Sequence, residues 1–105
     1  MGWVMACRVN DVEVGTIKRQ RLPNGVMIGL TRLPDNRVVA FENKCPHVGG
    51  PLALGKLKDT EIVCPWHFFR FDLLTGETLA TDKSIMRMKV FQVKVEQEDV
   101  YVDAN

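Results

Sequence analysis

The sequence contains no long hydrophobic run, and its N-terminus carries no targeting pattern. No segment approaches the ~20 consecutive apolar residues that span a bilayer. The first residues read MGWVMACRVNDVEVG, and polar side chains interrupt them too early for a secretory signal. Position 6 is Ala6 rather than serine or threonine, which excludes a myristoylation pattern after Met1. These absences predict a soluble, cytoplasmic protein.

The sequence has no excess of basic or of acidic residues. The formal net charge is +1, from 14 basic and 13 acidic residues. Nucleic-acid-binding domains normally have a clear basic excess, so this balance argues against that class. One short basic cluster, Lys18–Arg21 (KRQR), is present, and we expect it to form the solvated face of a strand rather than a partner site.

The sequence contains few cysteines, and their number is odd. Three cysteines are a poor basis for a disulfide framework. Cys45 and Cys64 each stand close to a histidine, at a spacing typical of metal ligands, which favours a reducing compartment. Cys7 ends the apolar run Trp3–Cys7, and we expect it to be a buried small hydrophobe.

Helical periodicity is also missing. Short apolar or alternating segments are separated by turn signals, which is typical of strands, and two of these signals, Pro23-Asn24-Gly25 and Pro34-Asp35-Asn36, predict tight turns. The 105 residues suit one domain, so we predict a single all-β, mainly antiparallel domain spanning residues 1–105. The predicted strands are Trp3–Val9, Thr16–Leu22, Val26–Leu33, Arg37–Glu42, Glu61–Cys64, Phe68–Leu73, Met88–Glu96 and Val100–Asp103.

Two segments, residues 43–55 and 64–69, interrupt this strand pattern. They contain both histidines, two of the three cysteines and three of the five prolines. Loops held by a β scaffold often carry the function of a domain. We therefore expect these two loops to form a small functional subdomain.

Each loop offers one thiolate and one imidazole. Cys45 and His47 can reach one site together because residues i and i+2 of an extended segment point to the same side. Cys64 and His67 converge only in a tight turn, which Pro65 helps to fix. Mixed pairs from two loops suit a two-iron centre, with both thiolates on one iron and both imidazoles on the other.

Two other interpretations of these four residues remain open. The first is a structural zinc ion with a Cys₂His₂ ligand set. Finger-type zinc sites usually pair cysteine with cysteine and histidine with histidine, so mixed C-x-H and C-x₂-H halves are unusual for them. The second is four unrelated core residues, which would require four of the chain's five Cys and His side chains to fall into register by chance.

The segments CPHVGGPL, CPWH and FDLLTGE resemble the Rieske family of [2Fe–2S] proteins, and specifically its soluble ferredoxins. The resemblance implies a Rieske-like antiparallel β-sandwich or barrel with a small cluster-binding subdomain. It also implies that Cys45 and Cys64 bind the buried iron of one [2Fe–2S] cluster, while His47 and His67 bind the outer iron through Nδ1.

The chain departs from the respiratory members of that family at four positions. Gly50 and Trp66 replace two cysteines that form a disulfide there. Phe69 and Phe71 replace a serine and a tyrosine whose hydroxyls donate hydrogen bonds to cluster sulfurs. Fewer such bonds lower the reduction potential, so we expect a value near the bottom of the Rieske range of about −150 to +300 mV.

The histidine count restricts the chemistry. Both histidines are assigned to the cluster, which leaves none for an oxygen-activating 2-His-1-carboxylate iron site or a nucleophile pair. Rieske oxygenase subunits continue into a large catalytic domain, whereas this sequence ends at Asn105. We therefore expect a one-electron carrier rather than a catalyst.

By resemblance, the expected partners are an NAD(P)H-dependent flavin reductase as electron donor and a terminal oxygenase as acceptor. We expect a monomer when the protein is free. The near-zero net charge predicts a small, partly apolar docking face around the histidines. The alternatives are the small Rieske subunit of a nitrite-reductase-like complex and a zinc-stabilised interaction module.

Overall fold

The computed structural model describes residues 2–46, 49–65, 69–79 and 87–104. Two 3₁₀ turns, Val9–Asp11 and Leu52–Leu54, are the helical segments in these ranges, and neither is long and apolar enough to cross a membrane. The strands are β1 (Trp3–Arg8), β2 (Lys18–Arg21), β3 (Met27–Arg32), β4 (Val38–Glu42), β5 (Lys56–Lys58), β6 (Glu61–Val63), β7 (Arg70–Asp72), β8 (Val90–Phe91), β9 (Val93–Glu96) and β10 (Asp99–Asp103).

The strands form three sheets, in the orders β1-β10-β9, β2-β3-β4-β8 and β5-β6-β7. Every pair of neighbouring strands in these sheets is antiparallel. The predicted all-β, antiparallel fold is therefore confirmed. In sequence, β5 and β6 lie between the two loops that carry the candidate ligands, and β7 follows the second loop.

Two strand predictions are corrected. The predicted strand Met88–Glu96 is split at Gln92, because β8 pairs with β4 while β9 pairs with β10 in a different sheet. The strand β5 was not predicted, because the tripeptide Lys-Leu-Lys carries too little pattern. It exists through its pairing with β6, where Leu57 lies opposite Ile62.

The turn predictions are confirmed. Gly25 has a φ of 91° and Asn36 a φ of 76°, so each supplies the left-handed residue that its turn requires. A backbone hydrogen bond of 2.8 Å, from Leu22 N to Val26 O, closes the first turn. The basic cluster forms β2, an edge strand on which Arg19 and Arg21 are exposed, as expected.

Two hydrophobic cores stabilise the domain, and β4 contributes to both. Phe41 belongs to the first core, whereas its neighbour Ala40 belongs to the second. This alternation follows from the period of two in a strand. The first core comprises Leu33, Val39, Phe41, Cys45, Leu52, Ile62, Cys64, Phe71, Leu73 and Met88. The second comprises Cys7, Val12, Leu22, Ile28, Leu30, Ala40, Phe91, Val100 and Val102.

Candidate cluster-binding site

Two of the four candidate ligands, Cys45 and Cys64, lie in the first core. Cys45 follows the end of β4, and Cys64 directly follows β6. Their exposed fractions are 1% and 0%, so neither thiol is reached by bulk water. The structure thus brings the two predicted thiolate ligands into one buried region, although 18 residues separate them in sequence.

The two loops close in the same way. The amide N of Cys45 donates to Gly50 O, and the amide N of Cys64 donates to Phe69 O, both at 2.8 Å. Each bond joins a cysteine to the carbonyl five residues later, so each loop forms a ring that begins at its cysteine. A second bond of 2.7 Å, from Gly49 N to Cys45 O, tightens the first ring. The backbone around both thiols is therefore constrained by the polypeptide itself.

The other two candidate ligands, His47 and His67, lie outside the described residues, as do Trp66 and residues 80–86. In sequence, each histidine falls inside one of the closed loops. Across the described ranges, no three Cys, His, Asp or Glu side chains come together as a metal site. The assignment of the two histidines therefore stays a prediction.

Asn43 anchors the first loop and was not identified from the sequence. Its side-chain Oδ1 accepts a 2.7 Å hydrogen bond from Ala53 N, and its own amide N donates to Met27 O at 2.9 Å. The residue thus links β3, the start of the loop and the 3₁₀ turn Leu52–Leu54. An asparagine two positions before a ligand box is a weak signal, because its role depends on the residues that the fold places opposite it.

The small sheet supports the second loop. Leu57, Ile62 and Phe71 lie side by side on β5, β6 and β7, and they face the first core. Phe71 is fully buried there, in the same core as both cysteines, and Phe69 packs against that core. Phe71 is therefore placed where an added polar group can affect the cysteine environment.

Phe71→Tyr is expected to raise the reduction potential by tens of millivolts. A hydroxyl that donates a hydrogen bond to a cysteine sulfur favours the electron-rich reduced state. A tenfold shift in the equilibrium constant of a one-electron couple corresponds to ~59 mV. Protein-film voltammetry on wild type and variant measures the shift.

Phe91→Tyr is the matched control for this experiment. It adds the same hydroxyl to the second core, and its potential is expected to equal that of the wild type. An unchanged or lower potential for Phe71→Tyr, with an intact visible spectrum, would contradict both the alignment of Phe71 and the tuning argument.

Cys7 is a structural residue, as predicted. It lies in the second core with an exposed fraction of 7%, opposite Val100 of β10. Burial raises the pKa of the Cys7 thiol, an effect that Lys18 partly offsets. The thiol is therefore protonated near neutral pH and poorly suited to bind metal.

The chemistry of the described residues fits an iron–sulfur cluster. Cys45 and Cys64 share an apolar core as thiols rather than as a disulfide. Thiolates are the ligands that iron–sulfur clusters prefer. Closed backbone loops around both cysteines are also the kind of rigid support that such a cluster needs.

Residues 2–92 match the family described as the Rieske [2Fe–2S] domain. Ferredoxin CarAc of Metapseudomonas resinovorans is 31% identical over 100 residues, which cover 95% of this chain and 92% of that protein. Apoptosis-inducing factor 3 of Homo sapiens is 37% identical over 94% of this chain, but the match covers only 16% of that protein. The chain thus spans about a sixth of the length of this relative.

Solved structures agree with the sequence matches. The ferredoxin in a complex of reduced oxygenase and oxidised ferredoxin of carbazole 1,9a-dioxygenase is 30% identical, with a TM-score of 0.83 over 94% of this chain and 99% of that chain. Two nitrite reductase small subunits, 24% and 20% identical with TM-scores of 0.83 and 0.84, share the fold alone. The chain therefore belongs to the Rieske [2Fe–2S] domain family and binds a Rieske-type [2Fe–2S] cluster.

Proposed function

We propose that Cys45, His47, Cys64 and His67 hold the cluster, with both thiolates on one iron and both imidazoles on the other. The observation that carries this proposal is the burial of Cys45 and Cys64 in one core, each at the start of a loop closed by its own amide. The chain has only two histidines, and each lies two or three residues after one of these cysteines.

The proposed function is one-electron transfer from an NAD(P)H-dependent flavin reductase to a terminal oxygenase, and the chain does not itself transform a substrate. The cluster supplies a one-electron couple when it is bound. The protein holds the cysteine side of the site in an apolar core, which excludes water, and fixes both loops by backbone hydrogen bonds. The ferredoxin relatives, one of them in a complex with its oxygenase, support this direction of transfer. We further propose that the protein acts as a monomer in the cytoplasm.

Purified holoprotein is expected to be red-brown and to contain two irons and two acid-labile sulfides per chain. Iron, zinc and sulfide analysis on protein purified anaerobically measures this composition. Colourless protein with one stoichiometric zinc would contradict the cluster ligands and favour the interaction module.

The electron acceptor is tested by stopped-flow spectroscopy of the reduced holoprotein. Purified terminal oxygenases and nitrite reductase large subunits from the same organism are the acceptors to compare. Rapid re-oxidation by an oxygenase alone is the expected result. Re-oxidation by the nitrite reductase subunit, together with co-purification as a stable complex, would instead support the alternative of a permanent small subunit.

A further inference from the structure

Leu54 is the most exposed large hydrophobic residue in the described ranges, with an exposed fraction of 61%. Single exposed leucines are common and carry no meaning alone. Leu54, however, lines a surface pocket of about 280 Å³ together with Lys56, Cys64 and Pro65. An apolar side chain thus stands at the surface beside one of the two buried cysteines.

The backbone holds Leu54 rigidly in this position. Leu54 ends the 3₁₀ turn that begins at Leu52, and the first two residues of this turn are buried. The amide N of Leu54 donates to Pro51 O at 3.0 Å, and the preceding residue is bound by the Asn43 side chain. Because the backbone at Leu54 is already ordered, a partner that covers this residue loses less free energy to the ordering of the chain, which favours binding.

Lys56 is the charged residue among those that line this pocket. The acidic residues nearest to it in sequence, Asp59 and Glu61, lie at the far end of β5 and at the start of β6. On the outer face of the small sheet, Val63 of β6 lies between Lys56 of β5 and Arg70 of β7. Val63 directly precedes Cys64. The acidic residues of this face, Glu61 and Asp72, pair with each other two positions farther along β6 and β7, on the side away from Cys64.

Among the described residues, Lys56 has no ion-pair partner. Arg70 is different, because its Nη1 lies 3.1 Å from Oε1 of Glu61, which neutralises part of its charge. Lys44, directly before Cys45, is exposed and likewise has no ion pair with any described carboxylate. Among the described residues, Lys56 is thus the unpaired lysine beside the pocket, whereas Lys44 lies at the start of the first loop.

We propose that Leu54 and Lys56 form the docking face for the electron-transfer partner, which presents an apolar contact for Leu54 with an Asp or Glu carboxylate beside it for Lys56. This inference rests on the proposed electron-carrier function and adds the chemistry of the partner. It adds local charge to the partly apolar docking face expected from the net charge, because a lysine at the contact can steer the encounter even when the total charge is near zero.

Three one-electron oxidants test the docking face on dithionite-reduced holoprotein in stopped flow. Native cytochrome c is a basic protein probe, succinylated cytochrome c is an acidic probe of the same shape, and ferricyanide is a small anion without an apolar surface. In each reaction the protein loses one electron and the ferric iron of the probe becomes ferrous. At low ionic strength, succinylated cytochrome c is expected to react faster than the native form.

The variants separate charge from apolar contact. Lys56→Glu is expected to slow the reaction with succinylated cytochrome c about tenfold at low salt, and this effect is expected to vanish at high salt. Lys94→Glu makes the same charge change on a different sheet, beside Trp3, and is expected to change this rate by less than about twofold. Leu54→Ser is expected to slow both cytochromes roughly fivefold and to leave the ferricyanide rate unchanged.

Equal effects of Lys56→Glu and Lys94→Glu, or cytochrome rates unaffected by Leu54→Ser, would overturn the docking face. Failure of the proposed function looks different, because a protein that is not an electron carrier would fail to reduce ferricyanide as well.

Discussion

Cys64→Ser is expected to yield protein without a cluster, with less than about a tenth of the wild-type iron and a greatly lowered thermal midpoint. A bound metal centre links folding to ligand binding, so loss of a ligand removes both the metal and the stability it contributes. Cys64 is fully buried in the first core, where its loop, the small sheet and β4 meet. The hydroxyl of a serine at this position would be buried in an apolar site without a bound metal, which destabilises the folded protein.

Cys7→Ser is the matched control, because it makes the same chemical change in the second core. This variant is expected to lose about 1–2 kcal/mol of folding free energy from the buried hydroxyl but to keep its full iron and sulfide content. Visible absorption, iron analysis and thermal unfolding compare the two variants. Wild-type cluster content and thermal midpoint in Cys64→Ser would remove Cys64 from the ligand set.

Gly55→Ala is expected to cost about 2–3 kcal/mol of folding free energy, which lowers the thermal midpoint by roughly 10–20 °C. Gly55 follows the 3₁₀ turn with a φ of −77°, a conformation open to any residue, so backbone strain is not the cause. A Cβ at this position would instead overlap the backbone carbonyl oxygen of Val63. That carbonyl precedes Cys64, so relief of the clash would displace the second ligand loop and lower cluster content as well.

Gly25→Ala separates this effect from ordinary glycine replacement. Nothing lies within 4 Å of a Cβ placed on Gly25, but its φ of 91° is unfavourable for alanine. The expected cost is about 1 kcal/mol, with no change in iron content. If Gly55→Ala were no more destabilising than Gly25→Ala, the close approach of Gly55 to Val63 could not be a structural constraint.

Much of the fold follows from local pattern in the sequence. The strand β3 and its neighbour β4 combine β-branched residues with turn residues at both ends, and the structure places them within one residue or so of the prediction. The switch at Gln92 could not be predicted, because the alternation of apolar residues continues across it while the pairing partner changes. Pairing is a non-local property that a local pattern does not report.

The same distinction between local and non-local signals applies to the residues of the candidate site. Cys45 and Cys64 could be proposed as ligands because ligand spacing is local, and the structure places both in one buried core. Asn43 and Gly55 could not, because the first acts through Ala53 and the second through its contact with Val63. Such roles depend on distances that only the folded chain defines. The assignment of Cys45, His47, Cys64 and His67 as ligands remains a prediction from the sequence.

The pairing of β1 with β10 has a consequence for fusion proteins. Both ends of the domain meet in one sheet, and Ala104 N donates to Gly2 O at 2.8 Å. This sheet packs on the second core, whereas the cysteine loops belong to the first. A tag, linker or additional domain joined at either end would therefore leave the molecule from the same place, away from Cys45 and Cys64. Either terminus is thus suitable for attaching the protein to a support without direct modification of the cysteine loops.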